Sequence, residues 1–355
     1  MTSAEALPSS VQVAVVGAGQ AGLATGFYLR STGLSYVLLD AASTVGAAWS
    51  SRWDSLRLFT SAQFCSLPGL PFPGPAERYP AKNDVADYLR RYAEHFALPV
   101  LPGHRVRTVC RDGGGFTLST DHGTCRADQV VLAAGAFGVP RLPRPAADLD
   151  SSVPQWHASQ YRNPAQIPGG TVVVVGTGNS GVQIARELSA GRCVVLCRGR
   201  DSPSMPQLVL GRDVFWWMSV LGVMELPVGP NAPDPLIGTS PDQLAEAGLV
   251  RLAGRVASAR GGELVTEDGE RLYPDAVIWS TGYRSDFSWL DTEFLDAAGA
   301  PDHVEGICRV PGAYFVGMYR MRSRGSALLG FVGADARRIV TVVAERARCV
   351  DGVTG

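Results

Sequence analysis

The sequence predicts an α/β fold with two dinucleotide-binding βαβ units, the second inserted into the first. Three observations carry this. Two glycine-rich turns of one form, Gly17-Ala18-Gly19-Gln20-Ala21-Gly22 and Gly176-Thr177-Gly178-Asn179-Ser180-Gly181, each follow an apolar strand-like run, at 11–16 and 171–175. Each leads into a helix-like stretch, a glycine stop (Gly33, Gly191) and a second strand, at 36–39 and 193–197. After the second unit come a strand at 313–317 and a helix opening near Ser326-Ala327-Leu328, which return the chain to the first unit.

One G-x-G-x-x-G is weak evidence in a chain with 41 glycines among 355 residues. Two of them, each in a complete strand–turn–helix–strand setting, are strong evidence. The first glycine permits the tight turn, the second lets the backbone approach a pyrophosphate, and the third allows close helix–strand packing. The helix N-terminus then offers unpaired N–H groups to that anion. The strand after the first turn ends on Asp40, whose carboxylate suits free ribose hydroxyls, as in FAD or NAD. The strand after the second ends on Arg198, with Arg200 two residues on, which suits a 2′-phosphate and hence NADP. The competing explanation is an ordinary βαβ unit whose glycines serve packing alone.

Composition narrows the class. Hydrophobic residues are 46% and charged residues 18%, as in a globular chain, and 355 residues suffice for two domains. A net charge of −1 gives no sign of a nucleic-acid surface. No basic n-region opens the chain and no apolar run reaches membrane-spanning length, so a cytoplasmic protein without a membrane span is expected. The seven cysteines are scattered, with no C-x-x-C, which argues against disulfide scaffolding, zinc and dithiol redox chemistry. Lys82 is the one lysine in the chain and lies in no Walker A motif. Neither H-E-x-x-H nor G-x-S-x-G occurs, and no metal site is expected.

Between the units, a loop rich in aromatics and prolines spans 46–80, and an amphipathic helix is expected over 83–97 from Val85, Tyr88, Leu89, Tyr92 and Phe96. Strands are expected at 104–110, 115–120 and 129–135, the last ending in small residues against which a second backbone or a cofactor can lie. Prolines over 138–170 mark a linker. A proline-punctuated insertion, 203–241, holds Phe215-Trp216-Trp217-Met218 and reads as a helix packed over the site or at a subunit contact. A buried strand at 276–279 runs into Ser280-Thr281-Gly282-Tyr283. The domain division is therefore 1–165 with 285–355, and 166–284.

These residues resemble the flavin-containing monooxygenases (class B flavoprotein monooxygenases), in particular their short bacterial members. The resemblance runs from Val11 to about Val343. It rests on the first glycine turn with Asp40, Gly46-Ala47-Ala48-Trp49, Trp53-Asp54-Ser55-Leu56-Arg57-Leu58-Phe59-Thr60, and Leu67-Pro68-Gly69-Leu70-Pro71-Phe72-Pro73 with Tyr79-Pro80. It continues with the second glycine turn, Trp279-Ser280-Thr281-Gly282-Tyr283, and Gly317 with Arg324-Gly325-Ser326-Ala327-Leu328. The resemblance implies two Rossmann-like dinucleotide-binding domains, an NADP domain inserted into an FAD domain. It implies bound FAD, reduction by NADPH, and a flavin C4a-(hydro)peroxide formed with O2. That species oxygenates a small amine or sulfide, or a ketone in a Baeyer–Villiger reaction. The cofactor carries the hard chemistry, which explains why no nucleophile or acid–base pair stands out.

By the same resemblance, Gly17, Gly19, Gln20, Ala21, Gly22, Asp40, Ala48, Trp49, Thr60, Gln63, Val106, Ala134, Gly135, Ser326, Ala327 and Leu328 are the candidate FAD residues. The helix opening at Ser326–Leu328 is expected to aim its N–H groups at the flavin pyrimidine. Gly176, Gly178, Asn179, Ser180, Gly181, Arg198, Arg200, Thr281 and Gly282 are the candidate NADP residues. No catalytic residue is assigned; Phe59 and Asn179 are candidates for positions next to the flavin. Phe59 stands where eukaryotic-type members place an asparagine, which puts protection of the peroxide in doubt. The family motif F-x-G-x-x-x-H-x-x-x-Y/F survives only as His157 to Tyr161, with Ser151 and Val153 in place of its Phe and Gly. His157 is then either a hinge residue near the cofactor or a solvent-exposed linker histidine.

Two further functions stay open on the sequence. One is an NADPH-dependent flavoprotein reductase or oxidase that makes hydrogen peroxide; the other is a redox-silent nucleotide-binding protein. Substrate and oligomeric state are open, a homodimer among the options.

Overall fold

The computed structural model describes residues 6–135, 138–229 and 235–351. The first sheet is organised around β1 (Ser10–Val16), whose alternate residues face opposite sides. Val13 and Val15 enter one apolar cluster with Leu38, Val131 and Val316, while Ala14 and Val16 enter another with Val37, Leu39 and Val130. A strand buried on both faces in this way reads as a continuous apolar run, which is what the sequence shows. Beside β1 lie β2 (Tyr36–Leu39) and β6 (Gly123–Leu132), with β3 (Val100–Leu101) on the outer side of β2, all parallel. β4 (Val106–Asp112) and β5 (Gly115–Thr120) extend β6 as an antiparallel hairpin.

Two helices cover the first of these faces early in the chain, α1 (Gln20–Leu29) and α3 (Lys82–His95), with the single turn α2 (Ala47–Ser50) between them. The parallel strand Ala313–Phe315 pairs with β6 after 180 intervening residues, and the 20-residue helix α8 (Val332–Asp351) packs on α1. The second unit is therefore inserted into the first. Gly317, at φ +78°, makes the return possible: a Cβ there would stand 2.3 Å from the Ala21 side chain.

The second sheet is parallel throughout, in the order 251–253, β10 (Cys193–Cys197), β9 (Thr171–Val175), 276–279, β8 (Gln155–His157). α5 (Asn179–Leu188) follows the second glycine turn. One boundary shifts from the sequence expectation. β8 lies before residue 165 yet pairs with Ala276–Trp279, so the second unit claims its first strand from within the linker. The two crossings between the sheets run side by side as an antiparallel ribbon of β7 (Val139–Pro140) and Tyr283–Arg284. The short helix α4 (Arg144–Asp148) sits between β7 and β8.

The insertion folds into a hairpin, the helix α6 (Val214–Val220) and a strand, Leu236–Ile237, before α7 (Pro241–Glu246). Its apolar side is a cluster of its own, in which Val214, Phe215, Met218, Met224 and Ile237 meet Phe59, Phe64, Leu328 and Phe331 of the first unit. It packs as a lid over that unit. A second correction concerns the final helix. It opens at Val332, not near Ser326; residues Arg324–Ala327 form a separate 3-10 turn capped by the Ser323 hydroxyl, and Leu328 is extended (ψ 140°). The extended Leu328 separates the two helices, and in the turn that follows Gly330 passes so close to the Phe64 carbonyl that a Cβ would stand 2.1 Å from it.

Candidate functional site: two nucleotide cradles under a lid

The two glycine turns are superposable in their packing. Gly17 and Gly176 have φ +105° and +111°, and a Cβ on either would meet a backbone carbonyl at 2.4 Å, that of Ala133 or Ser280. A Cβ on Gly22 or Gly181 would strike the carbonyl of the first glycine at 1.8 or 1.9 Å. Around Gly19 and Gly178, by contrast, no described atom comes within 4 Å of a Cβ. Two glycines in each turn are thus required by packing, and the middle one faces space. Gly19 and Gly178 are also the N-caps of α1 and α5, with no side chain capping either helix. Both turns therefore fit a pyrophosphate: open space, unpaired N–H groups and the positive end of a helix dipole coincide.

Around the first turn, Asp40 accepts hydrogen bonds from Ala18 N at 2.6 Å and Ala42 N at 2.8 Å, which fixes its carboxylate beside the turn. Gln20 joins three distant segments, donating from Nε2 to the Ala327 carbonyl at 2.9 Å and accepting from Trp49 Nε1 at 3.1 Å. Ala48 and Ala21 lie on the same two helices. Ser326 is buried, its hydroxyl accepting from the backbone of Arg322 and Ser323, so it shapes the 324–328 turn. Ala133 and Ala134 leave β6 against Gly17, and Gly135 follows at φ +84° with no described atom within 4 Å of where a Cβ would stand. The backbone lying against the small residues at this strand end is thus the glycine turn itself.

Other FAD candidates are placed differently. Thr60 is buried, with its hydroxyl 3.3 Å from Cys65 Sγ. Burial pushes the Cys65 thiol up to about 11, which leaves it an unreactive packing group. Gln63 is exposed and donates to the Ser61 hydroxyl. Val106 sits at the start of β4, packed against the far cluster.

At the second turn, Gly199 N donates to Thr177 Oγ1 at 3.1 Å and Arg198 N to the Ala253 carbonyl, so the end of β10 is held against the glycines. The Arg198 guanidinium lies on Asp242 of α7, Nη2 to Oδ1 at 2.7 Å. Arg200 is exposed, with no partner among the described residues. Asn179 is spent on the insertion: its Oδ1 accepts from Ile237 N at 3.0 Å and its Nδ2 donates to the Pro235 carbonyl at 3.3 Å. Thr281 donates to the Arg141 carbonyl at 2.5 Å, and the Gly282 carbonyl accepts from Arg141 N and His157 Nε2, so both serve the crossing ribbon.

The lid and the crossing are both joined by contacts between residues far apart in the chain. Phe59 and Phe215 stack at 5.8 Å, 15° from parallel, and Gln207 donates to the Phe59 carbonyl at 2.8 Å. The Tyr79 hydroxyl donates to Asp213 Oδ2 at 2.9 Å; its burial and that carboxylate push the phenol up to about 12. His157 is buried, which removes the solvent-exposed alternative. Its Nδ1 accepts from Ser159 N at 3.2 Å, so the proton sits on Nε2, facing Gly282 O at 3.0 Å. Burial holds its pKa below the usual histidine value. Tyr283 packs edge-on against His157, and Arg52 donates to the Tyr283 hydroxyl at 2.5 Å.

A second tether crosses the units through Lys82, a position that its rarity alone singled out. Its ammonium donates to the Arg52 carbonyl at 2.6 Å and Asp54 Oδ1 at 2.7 Å, and Asp54 Oδ2 accepts from Asn163 at 2.8 Å. The seven cysteines are all free, and no group of three or more metal-ligating side chains occurs among the described residues. No helix among them is long and apolar enough to cross a membrane.

Two open glycine-turn cradles, with Asp40 beside one and Arg198 beside the other, define a protein built to bind two dinucleotides. The profile of the pyridine nucleotide-disulphide oxidoreductase family matches residues 14–207. An uncharacterized oxidoreductase, CzcO-like, from Geobacillus kaustophilus is 38% identical over 338 residues, covering 93% of this chain and 97% of its own. The solved flavin-containing monooxygenase from Stenotrophomonas maltophilia aligns with a TM-score of 0.82 at 31% identity, over 96% of this chain and 99% of that one. Probable indole-3-pyruvate monooxygenase YUCCA7 of Arabidopsis thaliana is 28% identical over 340 residues, 80% of this chain and 77% of its own. The chain belongs to the pyridine nucleotide-disulphide oxidoreductase family and, within it, to the flavin-containing monooxygenases. It is a flavin-dependent oxidoreductase.

Proposed function

We propose that this enzyme uses NADPH to reduce its FAD and inserts one oxygen atom from O2 into a small apolar substrate, either a ketone or a soft amine or sulfide. The observation that carries this reading is the lid. Phe215, Met218 and Met224 close over Phe59 and Leu328, the segments expected beside the flavin ring, and build an apolar, water-poor roof there. When bound, FAD supplies electron transfer and oxygen activation. The chain supplies placement. Gly17, Gly19 and Gly22 with the α1 N-terminus hold the FAD pyrophosphate, Asp40 the adenosine ribose, and Gln20 and Trp49 the join to the 326–328 turn. Gly176, Gly178 and Gly181 with Ser180 hold the NADPH pyrophosphate, and Arg198 its 2′-phosphate.

Screening apolar ketones, sulfides and amines tests the reading: at least one should be oxygenated in an amount equal to the NADPH oxidised. A second reading, an NADPH oxidase releasing hydrogen peroxide, is favoured by Phe59, which offers no hydrogen-bond donor where related enzymes place an amide. Peroxide equal to NADPH consumed with every substrate would select it.

A further inference from the structure

Arg198 is not an empty phosphate receptor. Its guanidinium is engaged by Asp242 at 2.7 Å, both side chains roughly half exposed. The carboxylate belongs to α7, 44 residues away, and is presented there by a capping box in which the Ser240 hydroxyl accepts from Gln243 N at 3.1 Å and Gln243 Oε1 accepts from Ser240 N at 2.8 Å. Gly199, next to Arg198, lies against Thr177 of the glycine turn, so the ion pair stands at the rim of the second cradle, where the adenosine ribose must lie. Of the neighbouring cations, Arg255 donates to the Gly199 carbonyl and faces Glu267, and Arg200 has no partner among the described residues.

From this geometry we infer that Asp242 is a specificity-determining residue, an internal competitor that occupies Arg198 and narrows the preference for NADPH over NADH. The inference rests on the assignment of Arg198 to the 2′-phosphate. A 2′-phosphate reaching Arg198 must displace the carboxylate and then sit beside it; NADH, with a free 2′-hydroxyl, leaves the pair intact and finds in Asp242 a hydrogen-bond acceptor. An exposed ion pair is worth at most about 1 kcal/mol, so releasing Arg198 is expected to strengthen 2′-phosphate binding by about fivefold.

The test compares Asp242→Asn, Arg198→Ala and the double variant in the FAD-loaded enzyme. kcat/KM is measured for NADPH and NADH, together with Kd for 2′,5′-ADP and 5′-AMP by calorimetry. Asp242→Asn should raise the NADPH/NADH ratio and tighten 2′,5′-ADP about fivefold, while 5′-AMP changes less than twofold. In the Arg198→Ala background that gain should vanish. An unchanged ratio and unchanged 2′,5′-ADP affinity in Asp242→Asn would overturn the inference, and so would a gain that persists without Arg198. If Arg198→Ala alone leaves the ratio and 2′,5′-ADP affinity untouched, the assignment of Arg198 itself fails instead.

Discussion

Gln20 and Ala327 lie 307 residues apart, yet the Gln20 amide donates to the Ala327 carbonyl at 2.9 Å. The same side chain accepts from Trp49, so one residue of the first glycine turn ties together the loop after β2 and the turn before α8. FAD binding is expected to depend on this knot. Each neutral hydrogen bond contributes about 1 kcal/mol, so Gln20→Ala should weaken FAD by about thirtyfold. Equilibrium dialysis of the apoprotein with FAD reads this directly; retention equal to wild type would show that the knot is not part of the flavin site.

Lys82 should be worth more than an ordinary surface cation. Its side chain is 9% exposed and its ammonium bonds Arg52 O and Asp54, whereas Asp54 is 55% exposed and partly screened. Lys82→Met is therefore expected to lower unfolding stability by about 1–2 kcal/mol. Urea denaturation of the holoenzyme measures it. Lys82→Arg should recover little, because the planar fork does not reproduce two donors converging from one ammonium.

His157 gives a pH signature. Burial depresses its pKa in the folded protein below the ordinary 6.5, and the Ser159 N–H pointing at Nδ1 favours the neutral ring. The unfolded chain therefore takes up a proton first as pH falls. The stability this residue contributes is complete above 6.5 and is lost as pH drops through the folded pKa, at a slope of at most about 1.4 kcal/mol per pH unit. His303, also depressed by burial, acts in the same direction. The decisive quantity is thus the difference between wild type and His157→Asn: the variant should lose less stability between pH 7 and 5, and equal losses would show that His157 does not titrate with unfolding.

The lid should govern water access. Phe215 is 2% exposed and stacks on Phe59, so its truncation to alanine removes about 3 kcal/mol of packing from the cluster. Phe215→Ala is expected to release more hydrogen peroxide per NADPH in the presence of substrate, with NADPH affinity unchanged. Unaltered coupling would place the reacting centre away from this roof.

The parts of the molecule legible in the sequence are those fixed by short-range rules. The two glycine turns could be read because a tight turn, a close approach and a helix start each demand glycine at set spacing, and both packing patterns are reproduced in the fold. The apolar strands 171–175 and 276–279 were equally plain, since burial on both faces leaves no alternation. What escaped depends on partners far apart in the chain. Nothing near Arg198 signals Asp242, nothing near Asn179 signals its use on Ile237, and Lys82 is tied to Asp54 and Arg52 only by tertiary folding. The close approach of Gly330 to the Phe64 carbonyl, in the turn before α8, is likewise a tertiary contact without a local signal. β8 escaped for a related reason: three residues among prolines carry little strand signal, and pairing with Ala276–Trp279 alone makes them one.

Mass spectrometry of the product formed under 18O2, with NADPH and a substrate found in the screen, tests oxygen insertion most directly. One atom of 18O per product molecule is the expected result. Product without label, or hydrogen peroxide matching NADPH for every compound, would contradict it.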